Sequence, residues 1–193
     1  MFNRVINAGL MGAALTFGLM LSGQAFADLT DISAEKAAEL EAEAKATVSQ
    51  FLAETQGAKE VLADAKGVLV CPKIRKGGFG VGAEGGKCVL TSGAPEPLYY
   101  GLIALKGGFI VGVESHSMIL ALNTDTALAK FTKDKREWEI GVDASVAVAK
   151  IGAGGDLDTT NLKKDIVSFI FGSKGLIADA TWEGSRFKKL DIK

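Results

Sequence analysis

"RKGGFGVGAEGGK", residues 75–87, decides how this chain is to be read, because six of its thirteen residues are glycine. It contains the spacing G-x-G-x-x-G at Gly80, Gly82 and Gly85. A dinucleotide loop with that spacing needs a strand before it and a helix after it, so that a helix N-terminus faces the pyrophosphate. The residues that follow, "GKCVLTSG" (86–93), are strand-like and soon broken. A phosphate loop ending at Gly86–Lys87 requires glycine where Val81 stands, and serine or threonine where Cys88 stands. Neither nucleotide reading holds. The alternative is a strand: Phe79, Val81 and Ala83 share one face, and Gly78, Gly80 and Gly82 share the other. A strand with one bare face admits close approach of another backbone, or marks a tight bend.

The motif is echoed. "GGFGVGAE" (77–84) returns as "GGFIVGVE" (107–114), and more faintly as "IGVD" (140–143). The segments between differ, so these copies predict equivalent strands of one sheet, not a solenoid. Around them lie short apolar runs with turn signals: "GVLVCP" (67–72), "KCVLT" (87–91), "LYYGLIAL" (98–105), "SMILALN" (117–123), "DIVSFIF" (165–171), "GLIADATWE" (175–183) and "SRFKKLDI" (185–192). Connections this short suit antiparallel hairpins. A short helix at "TDTALAKF" (124–131) interrupts them, capped by Thr124 or Asp125.

Glycine also divides the chain. None occurs in residues 28–56, where "ISAEKAAELEAEAKATVSQFLAET" (32–55) spaces Ala37, Leu40, Ala44, Val48 and Phe51 three and four apart. That is one helical stripe, with Ser33 as N-cap. A shorter helix is predicted over 58–66, ended by Gly67. The fold class expected is therefore α+β: a curved antiparallel sheet or barrel-like β body with the N-terminal helix packed against it.

Residues 1–27 have the layout of a secretory signal peptide: Arg4, an apolar run over 8–21, and "AFA" at 25–27. The run is short for a membrane span. Cleavage after Ala27 would leave residues 28–193 as a single domain, a helical arm (28–66) and a β-rich body (67–193), in the periplasm or secreted. The arm carries seven acids against two lysines, and residues 57–193 carry nineteen basic against sixteen acidic residues. A mildly basic body suits anionic surfaces, but this balance excludes a nucleic-acid binder of the usual strongly basic kind.

Chemistry-bearing residues are sparse. Cys71 and Cys88 are the only cysteines; an oxidising compartment permits a bridge, and two buried thiols are the other reading. With one histidine, they do not make a structural zinc site. His116, with Glu114 two residues away on the same strand face, offers an acid–base pair or half a metal site, and a structural histidine is the simpler reading. Glu84, Glu114 and Asp143 end the three echoes, as converging carboxylates or as solvated strand ends. "GGDLDTT" (154–160) has calcium-loop ingredients without the ligand array and reads as a turn. No nucleophile–base set is legible, so neither catalysis nor a cofactor is expected. Basic clusters stand out instead: Lys73, Arg75 and Lys76 with Lys87; Lys133, Lys135 and Arg136; Arg186, Lys188 and Lys189. Each basic side chain near an anionic membrane contributes about 1 kcal/mol.

"AKGVLVCPKIRKGGFGVGAEGGKCVL" (65–90), "WEIGVDASVAVAKIGAGGDLDT" (138–159) and "FIFGSKGLIADATWEGSRFKKL" (169–190) together resemble the SYLF domain. This is a lipid-binding domain of eukaryotic endocytic adaptors and exported bacterial proteins. The resemblance runs from about Ala34 to Leu190. It implies binding of a phospholipid or membrane surface, without catalysis. Eukaryotic members also work with actin, which an exported protein would not meet. Two departures follow. The helix some members use on membranes is here acidic, with Glu35, Glu39, Glu41, Glu43 and Glu54 against Lys36 and Lys45, so an inserting role is not carried over. Cys71 and Cys88 replace residues that are apolar and small in the family, which favours a disulfide particular to this chain. The segment "PKIRKGG" (72–78) keeps its basic residues, and Lys73, Arg75, Lys76 and Lys87 are the expected headgroup contacts. A structural or interaction protein of the cell envelope, binding a protein partner through the helix stripe or a sheet edge, is the alternative.

Overall fold

The computed structural model describes residues 31–133, 137–140, 146–149, 151, 157, 162–172 and 184–193, with backbone only at 78–81 and 106–112. Residues 1–27, expected to be a signal peptide, lie outside them, as do Lys135, Arg136, Asp143, most of 154–160 and the run 175–183.

Helix α1 (Ala34–Glu54) starts where Ser33 caps it, its hydroxyl accepting from the Lys36 amide at 3.4 Å. Its buried stripe is Ala37, Leu40, Ala44, Thr47 and Phe51. Thr47 takes the central place expected of Val48, which is half-buried; the Thr47 hydroxyl donates to the Glu43 carbonyl at 2.8 Å, so it enters the interface satisfied. Helix α2 (Ala58–Asp64) follows Gly57, whose φ of 76° favours glycine. It ends before Lys66, shorter than expected. Helix α3 (Asp125–Thr132) is capped by Thr124, which accepts from the Ala127 amide at 3.1 Å.

Seven strands form among the described residues: β1 (Asp31–Ile32), β2 (Gly67–Ser92), β3 (Leu98–Leu122), β4 (Glu137–Glu139), β5 (Ala147–Ala149), β6 (Ile166–Phe171) and β7 (Arg186–Ile192). The ladder order is β1-β7-β3-β6-β5, with β2 on β3 and β4 on β7. The class is α+β, a helix packed on a curved sheet that does not close. The sheet is mixed. Its main ladders are antiparallel, but β1–β7 and β5–β6 are parallel over two and three register pairs. Each parallel partner returns after a long excursion, as parallel pairing demands.

The runs expected as separate strands are continuous: β2 has 26 residues and β3 has 25. They pair antiparallel from Gly67↔Leu122 to Leu90↔Leu98. Extended, Cys71 and Cys88 would stand about 56 Å apart at the usual rise per residue. Their Cα atoms are 4.1 Å apart and bridged by a disulfide. The ribbon therefore folds back on itself, and the two halves of β2 lie side by side. Thr91 Oγ1 donates to the Val68 carbonyl at 3.4 Å, across the same seam. Gly86 shows why glycine is needed there: a Cβ would sit 2.7 Å from the Lys73 carbonyl oxygen and 3.3 Å from Ile74 Cα. The echoed segments 77–84 and 107–114 pair with each other at the bend, Gly77↔Val113 and Gly78↔Gly112 among them. The repeat is the fold-back of one ribbon.

A bulge at Pro72–Lys73 sets which side chains face where. The register shifts between Cys71 and Ile74, so both point to the same face. Pro72 is tolerated there, its carbonyl accepting from the Ser117 hydroxyl at 2.8 Å. The inner face gathers Leu69, Cys71, Ile74, Cys88, Leu90 and Leu120 with α3. Phe131 of α3 is its hub, with ring centroids 4.9 Å from Tyr100, 4.9 Å from Trp138 and 5.6 Å from Phe187. The outer face, with Val70, Val89, Tyr99 and Ile119, lies under α1, whose Phe51 meets Phe169 and Phe171 at 5.1 Å each. Two sealed clusters hold the base of the ribbon.

Candidate functional site

Alternation along the strands divides the expected basic residues. Beyond the bulge, Lys73 and Arg75 fall on the outer face, and Lys87 of the other β2 half joins them. Lys73 and Lys87 line one cleft of about 240 Å³ with Lys36, Glu39, Leu40 and Glu43 of α1. Arg75 lies one step further from the helix and is exposed. Lys76 falls on the opposite, inner face, in register with Glu114, and is half-buried. The fold therefore brings together Lys73, Arg75 and Lys87, and turns Lys76 away.

The cleft is not purely basic. Lys73 Nζ stands 3.7 Å from Glu43 Oε1, with the two side chains 56% and 42% exposed. An exposed pair of this kind is worth little to stability, about 0–1 kcal/mol, and yields readily to a ligand. Further out on the same face, Leu105 and Val113 are each 81% exposed. They flank the bend, beside Ala83 and Gly77 in the ladder. The outer face thus runs from the helix-lined cleft, past Arg75, to two bare aliphatic side chains.

Two tyrosines secure the base beneath this surface. The Tyr99 hydroxyl donates to Glu41 Oε1 at 2.6 Å, tying β3 to α1. Burial, and then the Glu41 carboxylate, push its pKa up to about 12. Tyr100 points into the inner cluster, and burial alone raises its pKa to about 12.

His116 does not pair with Glu114. Its Nε2 lies 3.3 Å from Glu84 Oε1, and both side chains are almost fully buried. The pair joins the two halves of the ribbon inside the fold, in register with Ile74 and Ala104. Sealed from solvent, it serves as an internal tie and offers no open acid–base site. Strand pairing at distance made this contact, so its only sequence signal was that Glu84 and His116 share the inner parity once the bulge is counted. The acidic wall of the cleft was also missed, because Glu39 and Glu43 come from a flank of α1, far in sequence from the lysines of β2 that they face. No group of three metal-ligating side chains converges among the described residues. None of their helices is long and apolar enough to cross a membrane.

A curved sheet with a helix laid over it leaves a charged cleft between the two as the candidate site. Residues 103–191 match the family described as Las17-binding protein actin regulator, Ysc84. SH3 domain-containing YSC84-like protein 1 of Homo sapiens is 32% identical over 130 residues, which is 65% of this chain and 37% of that protein. The protein of the same name in Mus musculus is 33% identical over 131 residues, 65% of this chain and 38% of its own length. That of Xenopus laevis is 32% identical over 130 residues. The chain spans less than two fifths of the length of these relatives. These matches support a member of the SYLF (Ysc84) family, a family of binding and regulatory domains.

Proposed function

We propose that this chain is an exported lipid-binding module that engages phospholipid headgroups through its basic patch and lays the outer face of the ribbon on the bilayer. One observation carries the reading. Strand alternation collects Lys73, Arg75 and Lys87 on the face that also exposes Leu105 and Val113. Cations beside bare aliphatic groups suit a membrane interface, where charge meets phosphate and the apolar side chains leave water. The acidic α1 is held against the sheet by its apolar stripe, so it borders the patch and does not insert. Residues 1–27 would act as the cleaved signal that delivers the domain to the periplasm or the medium; the N-terminal sequence of the secreted protein tests this, with Asp28 as the expected first residue.

Liposome co-sedimentation tests the charge mechanism. Lys73→Glu, Arg75→Glu and Lys87→Glu together are expected to abolish pelleting with anionic vesicles. Equal pelleting of the wild type with neutral and anionic vesicles, unchanged in the triple variant, would sink it. A second reading, an envelope protein partner, is favoured by the other flank of α1. There Ala44, Val48, Val70, Val89, Pro95 and Pro97 line a mostly apolar groove of about 330 Å³. A stoichiometric complex formed with a purified envelope protein in the absence of lipid would support it.

A further inference from the structure

The cleft beside α1 has walls of both signs. Lys36, Glu39 and Glu43 come from one flank of the helix, and Lys73 and Lys87 from the two halves of β2, with Leu40 between. The spacing of the halves is fixed. The disulfide lies two residues before Lys73 and one after Lys87, and bare Gly86 lets the backbones touch. Opposite charges stand an ion-pair distance apart across the opening, 3.7 Å from Lys73 Nζ to Glu43 Oε1.

Lys36, Lys73 and Lys87 attract a phosphate, but a simple anion leaves the two carboxylates of the wall, Glu39 and Glu43, without a cation of the ligand to meet. A ligand that carries both charges close together meets complementary groups on each side. We propose that the cleft takes a zwitterionic phospholipid headgroup, a phosphodiester joined by a two-carbon link to an ammonium. The phosphate lies against Lys73 and Lys87, the ammonium against Glu39 and Glu43, and the methylenes over Leu40. The ligand replaces the Lys73–Glu43 pair with two pairs of its own. This inference rests on the lipid-binding reading and specifies the lipid: Arg75, Leu105 and Val113 hold the domain on the bilayer while the cleft reads the headgroup.

The test uses the full chain and two vesicle compositions, phosphatidylethanolamine with phosphatidylcholine, and phosphatidylglycerol. It adds a titration with soluble phosphorylethanolamine followed by amide shifts. The double variant Glu39→Gln/Glu43→Gln keeps the lysines and removes the ammonium site. It is expected to lose zwitterionic vesicle binding by roughly tenfold or more, as for loss of a charge-assisted contact, and to hold phosphatidylglycerol as well as the wild type or better. Lys73→Gln/Lys87→Gln is expected to weaken both. Thermal midpoints confirm that these surface variants fold. If the glutamine variant binds both vesicles as the wild type does, or loses both equally, the zwitterion proposal is overturned while lipid binding stands. If the wild type binds neither vesicle, lipid binding falls with it. Phosphorylethanolamine shifts at residues 36–43, 73 and 87 without vesicle binding would assign the cleft to a soluble phosphorylated amine and overturn the membrane source.

Discussion

The base and the tip of the β2–β3 ribbon are built from the same two strands, yet they meet opposite surroundings. At the base, Leu69, Leu90, Leu120 and Leu122 are buried between α3 and the sheet, and Val70, Val89 and Ile119 are buried under α1. Toward the tip the alternation continues, but its cover stops. Leu105 and Val113 occupy the same outer parity as Tyr99 and Ile119 and are exposed at 81% each. Burial in a strand is set by what lies over it, not by the strand. The base therefore carries stability, and the tip is released to carry a surface.

The sharpest attempt to break this division removes the hub of the base. Phe131 touches the rings of Tyr100, Trp138 and Phe187, and its side chain is 2% exposed. Phe131→Ala is expected to cost about 3–5 kcal/mol, the range for truncating a buried aromatic residue. Denaturant unfolding measures the loss. Vesicle binding by the fraction still folded should be unchanged; a matching loss of affinity would mean that base and tip are not separable.

Next comes the bridge that joins the two halves. Cys71→Ser/Cys88→Ser opens a loop with a sequence separation of 17, for which chain entropy predicts about 3 kcal/mol. Equilibrium unfolding with and without reductant reads the difference, which should vanish in the double variant. Hydrogen exchange should rise most in residues 73–87, where the fold-back loses its clamp.

Alkaline pH probes the base alone. Tyr100 is neutral when folded, its pKa raised by burial from 10.0 to about 12. An acid whose folded pKa is raised stabilises the fold fully below its unfolded value. That contribution, up to about 3 kcal/mol, is lost as pH climbs from 10 toward 12. Unfolding free energy followed across that window should fall, and Tyr100→Phe should flatten the fall. Tyr99, raised by burial and by Glu41, contributes in the same direction.

Much of this arrangement was legible in the chain, and what was hidden has a physical reason. The helix stripe, the Ser33 cap, the strands expected over 165–171 and 185–192 and the glycine-faced segment all follow from local periodicity, and they form within a residue of their expected places, with Thr47 for Val48 in the stripe. The family resemblance reached further than periodicity. The fold-back did not show, because turn-like glycines inside β2 and β3 mimic strand ends, and only a contact across seventeen residues reveals that the strand continues. Pro72 was the one local sign of the bulge. Without the bulge, Lys73 and Arg75 fall on the wrong face and Lys76 on the right one, which is why a cluster contiguous in sequence divides in space. His116 was paired with the acid nearest in sequence, whereas the fold joins it to Glu84, thirty-two positions before it.

The smallest change in stability is expected at the tip, and it is the one that decides what the tip is for. Leu105→Ser with Val113→Ser removes two side chains that make little contact with the folded body, so unfolding should shift by no more than about 0.5 kcal/mol. Unfolded and folded states expose these groups almost equally, and little hydrophobic free energy is gained on folding. On a bilayer the balance reverses, because each aliphatic side chain that leaves water for the interface contributes on the order of 1 kcal/mol. The double variant should therefore pellet with vesicles roughly tenfold less well, and its residual binding should vanish in high salt, where only the Lys73, Arg75 and Lys87 charges remain to hold it. A variant that loses stability but keeps its vesicle affinity would show Leu105 and Val113 to be part of the core, and the base and tip would then be one region.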